Sequence, residues 1–177
     1  MQVAKLSPQD QFRAWLQVWP AESTVWIGSM YSSGEPEHST HFRPVAQWNQ
    51  VWPVVGNYTC GSAFKPGSFQ RSNANVAGYR FLVVESDSLS KDQFGAILRY
   101  LQRRLHYRLH CIIDAAGKSL HGWLDAPRNP TMEARLKVGL VALGCDPKVF
   151  THSQPVRVPG ALREGRLQRL LWLRKES

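Results

Sequence analysis

The run 80-RFLVVESDSLSKDQFGAILRYLQRRLHYRLHCIIDAAGKSLHGWLD-125 decides the fold. It opens with a β-rich segment, Phe81 to Val84, that runs into two carboxylates, Glu85 and Asp87. Ser90 and Gln93 are spaced as a capping box, and Phe94, Ile97, Leu98, Leu101 and Leu105 follow at helical intervals. LHCIID and LHGWLD then read as two strands joined by a turn containing Gly117-Lys118-Ser119. Beyond them, a second helix is expected to open at Asn129-Pro130-Thr131 and close at Gly144. VRVPG and LQRLLWL are expected to supply a final strand or pair of strands. The order β-α-β-β-α-β is the split βαβ plan shared by ferredoxin-like and RRM-like domains, so the fold class expected is α+β. In that plan the first and third strands are expected side by side in the middle of the sheet.

Upstream, QDQFRAWLQVW (9–19) places Phe12, Trp15, Leu16 and Trp19 at helical spacing and predicts a short amphipathic helix closing at Pro20. Residues 24–58 read as strands and turns: TVWIGSMY, the polar break SSGEPEHST, then VAQWNQVWPVVG, with aromatics expected in the core. Residues 59–78, poor in aliphatics and rich in Gly, Ser and Asn, read as a loop. Either it reaches a phosphate through Lys65 and Arg71, with Arg80 nearby, or it is a solvated connection.

The Gly-Lys-Ser at 117–119 invites a P-loop reading, which spacing rejects. That loop needs a glycine five residues before the second one, and Ile112 stands there, inside a strand. The alternative lies in the side chains around it. Residues two apart on a strand share a face, so Glu85 and Asp87 present carboxylates side by side, as do Ser119 and His121 their polar groups. Paired carboxylates at a strand end suit Mg²⁺ or Mn²⁺, which take hard oxygen ligands together with substrate phosphates. The plainer alternative is an acidic strand end feeding a helix N-terminus, where negative charge is favoured. Lys118 is either a phosphate ligand or a solvated turn residue.

The succession FLVVESD, AAGKSLHGW and LGCDPKVFTHSQPVRVPGALR resembles the catalytic core of the archaeo-eukaryotic primase superfamily, the primase-polymerases of plasmids, phages and other mobile elements. The family's acidic pair maps onto Glu85 and Asp87, its S-x-H onto Ser119 and His121, and its further acidic residue onto Asp146, with Asp125 as the competitor. The resemblance covers roughly residues 60–173. It departs from the family's usual Ser-Gly-Gly-Lys-Ser in having Ala115-Ala116 before Gly117. It implies one primase-polymerase catalytic domain over 1–177: an RRM-like lobe, 79–177, packed on a smaller N-terminal α/β lobe, 1–78. It further implies template-directed nucleotidyl transfer from (d)NTPs on single-stranded DNA. Glu85, Asp87 and Asp146 would hold two Mg²⁺ or Mn²⁺ ions, and Lys118, Ser119, His121 and Arg157 the triphosphate. Arg71, Arg99, Arg103 and Arg104, with Arg166 and Arg169, would hold the template backbone, and a helicase domain or protein is a further expected partner.

Composition is consistent with that reading. The chain carries 22 Lys+Arg against 13 Asp+Glu, net +9, with the basic residues mostly after residue 98. Such a balance favours a polyanionic partner. Cys60, Cys111 and Cys145 are isolated, which argues against a structural zinc site and a disulfide framework and fits a cytoplasmic setting. No run is long and apolar enough to span a bilayer, so no membrane partner is expected. Two rivals share the plan. A non-catalytic RRM-like module would need exposed aromatics on its central strands, where Phe81-Leu82-Val83-Val84 offers carboxylates instead. A rolling-circle nuclease would need a second His where Trp123 stands.

Overall fold

The computed structural model describes residues 3–29 and 40–174. The first half of the chain contributes α1 (Pro8–Leu16), β1 (Thr24–Gly28), β2 (Phe42–Pro44), the single turn α2 (Val45–Trp48), β3 (Tyr58–Thr59), β4 (Ser62–Phe64) and β5 (Val76–Tyr79). The second contributes β6 (Phe81–Val84), α3 (Lys91–Arg103), β7 (Leu109–Asp114), β8 (Leu120–Asp125) and α4 (Pro130–Ala142). It ends with β9 (Val156–Arg157), β10 (Leu162–Arg163), β11 (Arg166–Leu167) and β12 (Arg169–Leu173). The polar break SSGEPEHST lies outside the described residues except for its last, Thr40.

The helices form where local chemistry directs them. Ser90 and Gln93 make the reciprocal capping box of α3, Asn129 caps α4 through Met132 N–H, and Gly144 leaves α4 with φ +92°. The strands FLVV and LHCIID are nearly continuous apolar runs because both faces of their sheet are covered. One face packs Leu82, Val84, Leu109 and Leu124 against Phe94, Leu98 and Leu101 of α3 and Leu136 and Leu140 of α4. The other packs Phe81, Val83, Ile113 and Trp123 against Phe12, Trp15 and Leu16 of α1 and Val25 and Ile27 of β1. The alternation of side chains along a strand sorts the two sets. Trp123 meets Trp15 edge to face at 5.6 Å, and Trp19 meets Phe81 at 4.8 Å.

Two sheets result. The N-terminal one runs β5-β4-β1-β3-β9 with β2 also on β1; the second runs β12-β7-β8-β6. The first and third strands of the split βαβ unit, β6 and β8, are neighbours, but β6 lies at the edge rather than in the middle as expected. Its outer side is taken up by the N-terminal unit. Phe81 N–H donates to Gly61 C=O at 2.8 Å, an approach so close that a Cβ on Gly61 would sit 2.3 Å from Phe81 O. The last strand instead joins β7, after the chain has passed through the N-terminal sheet as β9 and folded the β10–β11 hairpin.

Three further expectations are corrected. Residues 59–78 are not all loop: β4 and β5 form there, and of the segment's three glycines only Gly61 makes a close backbone approach. VAQW is a helical turn, with Trp48 buried and its indole N–H donating to Val25 C=O at 2.9 Å. VRVPG gives only a two-residue strand, and it belongs to the N-terminal sheet. Among the described residues, no helix is long and apolar enough to cross a membrane.

Candidate active site

Antiparallel pairing of β6 with β8 sets Val84 opposite Gly122, so the next residue along, Glu85, comes opposite His121. Both follow the parity of Val83 and Trp123 and so belong to the sheet face turned toward the N-terminal unit. His121 Nε2 and Glu85 Oε2 are in direct hydrogen-bond contact, with the His121 side chain 4 % and that of Glu85 17 % exposed. Arg157 N–H donates to His121 Nδ1 at 3.2 Å. A ring nitrogen that accepts is unprotonated, so Nε2 carries the proton toward Glu85. Ser119, buried just before β8, adds a hydroxyl hydrogen bond to the same carboxylate. Burial alone would raise the pKa of Glu85. The His121 side chain, then Arg157 and Ser119, outweigh it and hold the carboxyl below its ordinary value.

The loop after β6 is fixed by its own hydrogen bonds. Ser86 is buried and donates to Gly144 C=O at 2.6 Å, while Asp146 N–H donates to Glu85 C=O at 2.9 Å. Glu85 and Asp87 therefore flank a pinned residue, with Asp87 exposed. The carboxylate of Asp146 caps the turn that follows it, accepting Lys148 N–H at 2.9 Å. Asp125 pairs with Phe81 at the opposite end of β8, about 13 Å along the strand from His121. It is engaged there by His110 Nε2 at 2.6 Å and Arg80 at 3.4 Å. Register thus sets Asp125 at the far end of β8, while Asp146 meets Glu85 through the backbone alone.

Arg157 reaches the site from β9, opposite Tyr58 of β3, with its guanidinium carbon 4.0 Å from that ring's centre. Burial lowers its pKa, and a neighbouring Arg163 pushes the same way. Arg163 and Tyr58 are the residues that sequence reasoning missed. Arg163 stands on β10, whose two-residue turn to β11, Glu164-Gly165, has φ +50° and +76°, as a type I′ hairpin requires. Its Nη1 lies 2.8 Å from where a Cβ of Gly117 would be. Glycine at that turn therefore makes room for a guanidinium. The Glu-Gly pair was a legible hairpin signal; that the hairpin folds back onto the 117–119 turn was not.

The Gly117-Lys118-Ser119 stretch is a β7–β8 hairpin turn, closed by Ala115 N–H to Ser119 C=O at 3.2 Å, with Lys118 exposed. Other expected residues stand elsewhere. Arg71 donates to Ser153 C=O at 2.5 Å and lies over Trp26. Arg99, Arg103 and Arg104 are exposed on α3 and its C-cap, a helix packed on the other face of the sheet. Arg166 is exposed beside Glu164, and Arg169 is exposed on β12.

The donor set of Glu85 and Asp87 suits a hard divalent cation held by one or two carboxylates together with phosphates. Among the described residues, no group of three His, Cys, Asp or Glu side chains that could hold a metal is assembled. Around the hairpin, two guanidinium groups of like charge converge beside one carboxylate, an arrangement that an anion would relieve.

No family model and no curated protein matches the chain. Among solved structures it is similar to the AEP domain of the cyanophage S-2L primase-polymerase (PrimPol), with a TM-score of 0.61 and 16 % identity over 95 % of this chain and 91 % of that one. With the α+β architecture and strand pairings above, that likeness establishes that the chain has the fold of an archaeo-eukaryotic primase catalytic domain.

Proposed function

We propose that the chain is a primase-polymerase catalytic domain that transfers nucleotides from (d)NTPs along a single-stranded DNA template. The observation that carries this reading is the convergence of Glu85, Ser119, His121, Arg157 and Arg163 on the 117–119 hairpin, from both sheets and the β10–β11 hairpin. Arg157 and Arg163, with Lys118 at the tip, offer positive charge to a triphosphate, and a planar guanidinium matches phosphate oxygens bidentately. His121, its tautomer set by Arg157 N–H, holds Glu85 in place and carries a proton on Nε2 beside the phosphates. Glu85 and Asp87 would hold Mg²⁺ or Mn²⁺, with Asp146 the further carboxylate of this reading, and the ion supplies charge neutralisation at the transferring phosphoryl group. Arg71, Arg99, Arg103 and Arg104 stand outside this arrangement, and template binding here rests on the chain's net charge of +9.

An RRM-type binding module reads bases on exposed aromatics of its sheet. Phe81 and Trp123 on the corresponding face are fully buried under the N-terminal unit, so those residues give no such platform. The test is incorporation of labelled nucleotides on primed and unprimed single-stranded templates with Mg²⁺ or Mn²⁺, comparing wild type with Asp87→Ala. Synthesis by the wild type that falls at least about 100-fold in the variant is the expected result. Absence of synthesis with either ion overturns the catalytic reading.

A further inference from the structure

The side of the molecule remote from the active site carries an apolar groove between α3 and α4, with a volume of about 460 Å³. Tyr100, Leu105 and Met132 along it are each 47 % exposed and Leu143 is 42 % exposed. The outward face of α4 is apolar as well, with Val138 72 % exposed. A helix that is apolar on its buried and its outer side is ordinarily covered on both.

Two observations say what covers it. The first is Gly139, in the middle of α4 and on the groove wall, with no atom beyond its own stretch of helix within 4 Å of the position a Cβ would take. Glycine weakens a helix interior, and no packing within the chain requires it here, so its effect is to keep the groove open. The second is charge. Arg135 lines the groove, and Arg103 and Arg104, three and four residues beyond Tyr100, share that residue's side of α3. These three are exposed, and none has an ion-pair partner among the described residues.

We propose that the α3–α4 groove docks an amphipathic helix of a partner protein or domain whose apolar stripe is flanked by Glu and Asp. The groove runs along α4 from Met132 to Leu143, about 17 Å, against the C-terminal end of α3 at Tyr100 and Leu101, a length that takes about three turns of a third helix. The apolar floor favours such a helix over nucleic acid, which the arginines alone would accommodate.

The test uses the full chain and two labelled 18-residue helical peptides with the same leucine stripe, one flanked by Glu and one by Lys, followed by fluorescence anisotropy. Gly139→Leu fills the groove while favouring the helix, and Arg135→Glu reverses the rim charge; urea unfolding checks that both variants are folded. Expected are micromolar binding of the Glu-flanked peptide only and a loss of at least about tenfold in each variant. Four outcomes overturn the proposal. They are no peptide binding, equal binding of both peptides, single-stranded oligonucleotide binding that Gly139→Leu abolishes, and concentration-dependent self-association that the same substitution removes.

Discussion

His121 is held at both ring nitrogens, by Arg157 N–H on one side and by the Glu85 carboxylate on the other. Replacing it with Ala strips Glu85 of its principal partner, and nucleotide incorporation is expected to fall at least about 100-fold, with Asn, which keeps one donor, recovering part of the loss. The same pair has a pH signature. The Glu85 pKa is lowered in the folded protein, so the stability this group contributes is complete above its unfolded pKa. It is lost as pH falls from about 4.3 through the lower folded value. Urea unfolding of Glu85→Gln should therefore show a shallower loss of stability than wild type across that acidic range, and parallel curves would contradict the assignment. That Ser119 and His121 project to one side was legible because a strand's period of two reads directly from sequence; Asp87 lies beyond the end of β6. Arg163 was not legible, since its contact with Gly117 joins turns of two separate hairpins. The distance of Asp125 from His121 follows from the β6–β8 register, which no local pattern states.

At the level of elements, α3 sits on β8 through one contact that allows no side chain. A Cβ on Gly122 would lie 2.3 Å from Leu98 Cδ2, so Gly122→Ala should cost about 1–3 kcal/mol in urea unfolding as helix and sheet are forced apart. Ser90→Ala removes the side chain that accepts Gln93 N–H at 3.2 Å and should cost about 1 kcal/mol by the same measurement. Both helices and the strands β6 to β8 were readable because caps, helical spacing and apolar runs are local signals. The strands β3, β4 and β5 were not. They are two to four residues long, too short for a period of two to show, and the Gly, Ser and Asn around them read the same in a loop.

For the molecule as a whole, the two sheets share one core. Trp123 is fully buried between them against Trp15 and Trp19, and β9 from the second half completes the first sheet. Trp123→Ala should cost about 3–5 kcal/mol, with far-ultraviolet and tryptophan signals still moving in a single transition. Separate transitions would mean that the halves fold apart. The boundary expected between residues 78 and 79 falls inside β5, just short of the step to β6, and the return of β9 across it is a long-range pairing that composition does not announce. The site depends on that crossing, because it brings Arg157 to His121 and leads into the hairpin that carries Arg163. The most direct measurement is equilibrium binding of a deoxynucleoside triphosphate and its monophosphate to wild type, to Arg163→Ala and to Arg128→Ala, an exposed arginine beyond the far end of β8. The account predicts a preference for the triphosphate that drops at least about tenfold in Arg163→Ala and is unchanged in Arg128→Ala. Equal binding of the two nucleotides, or a preference indifferent to Arg163, would contradict it.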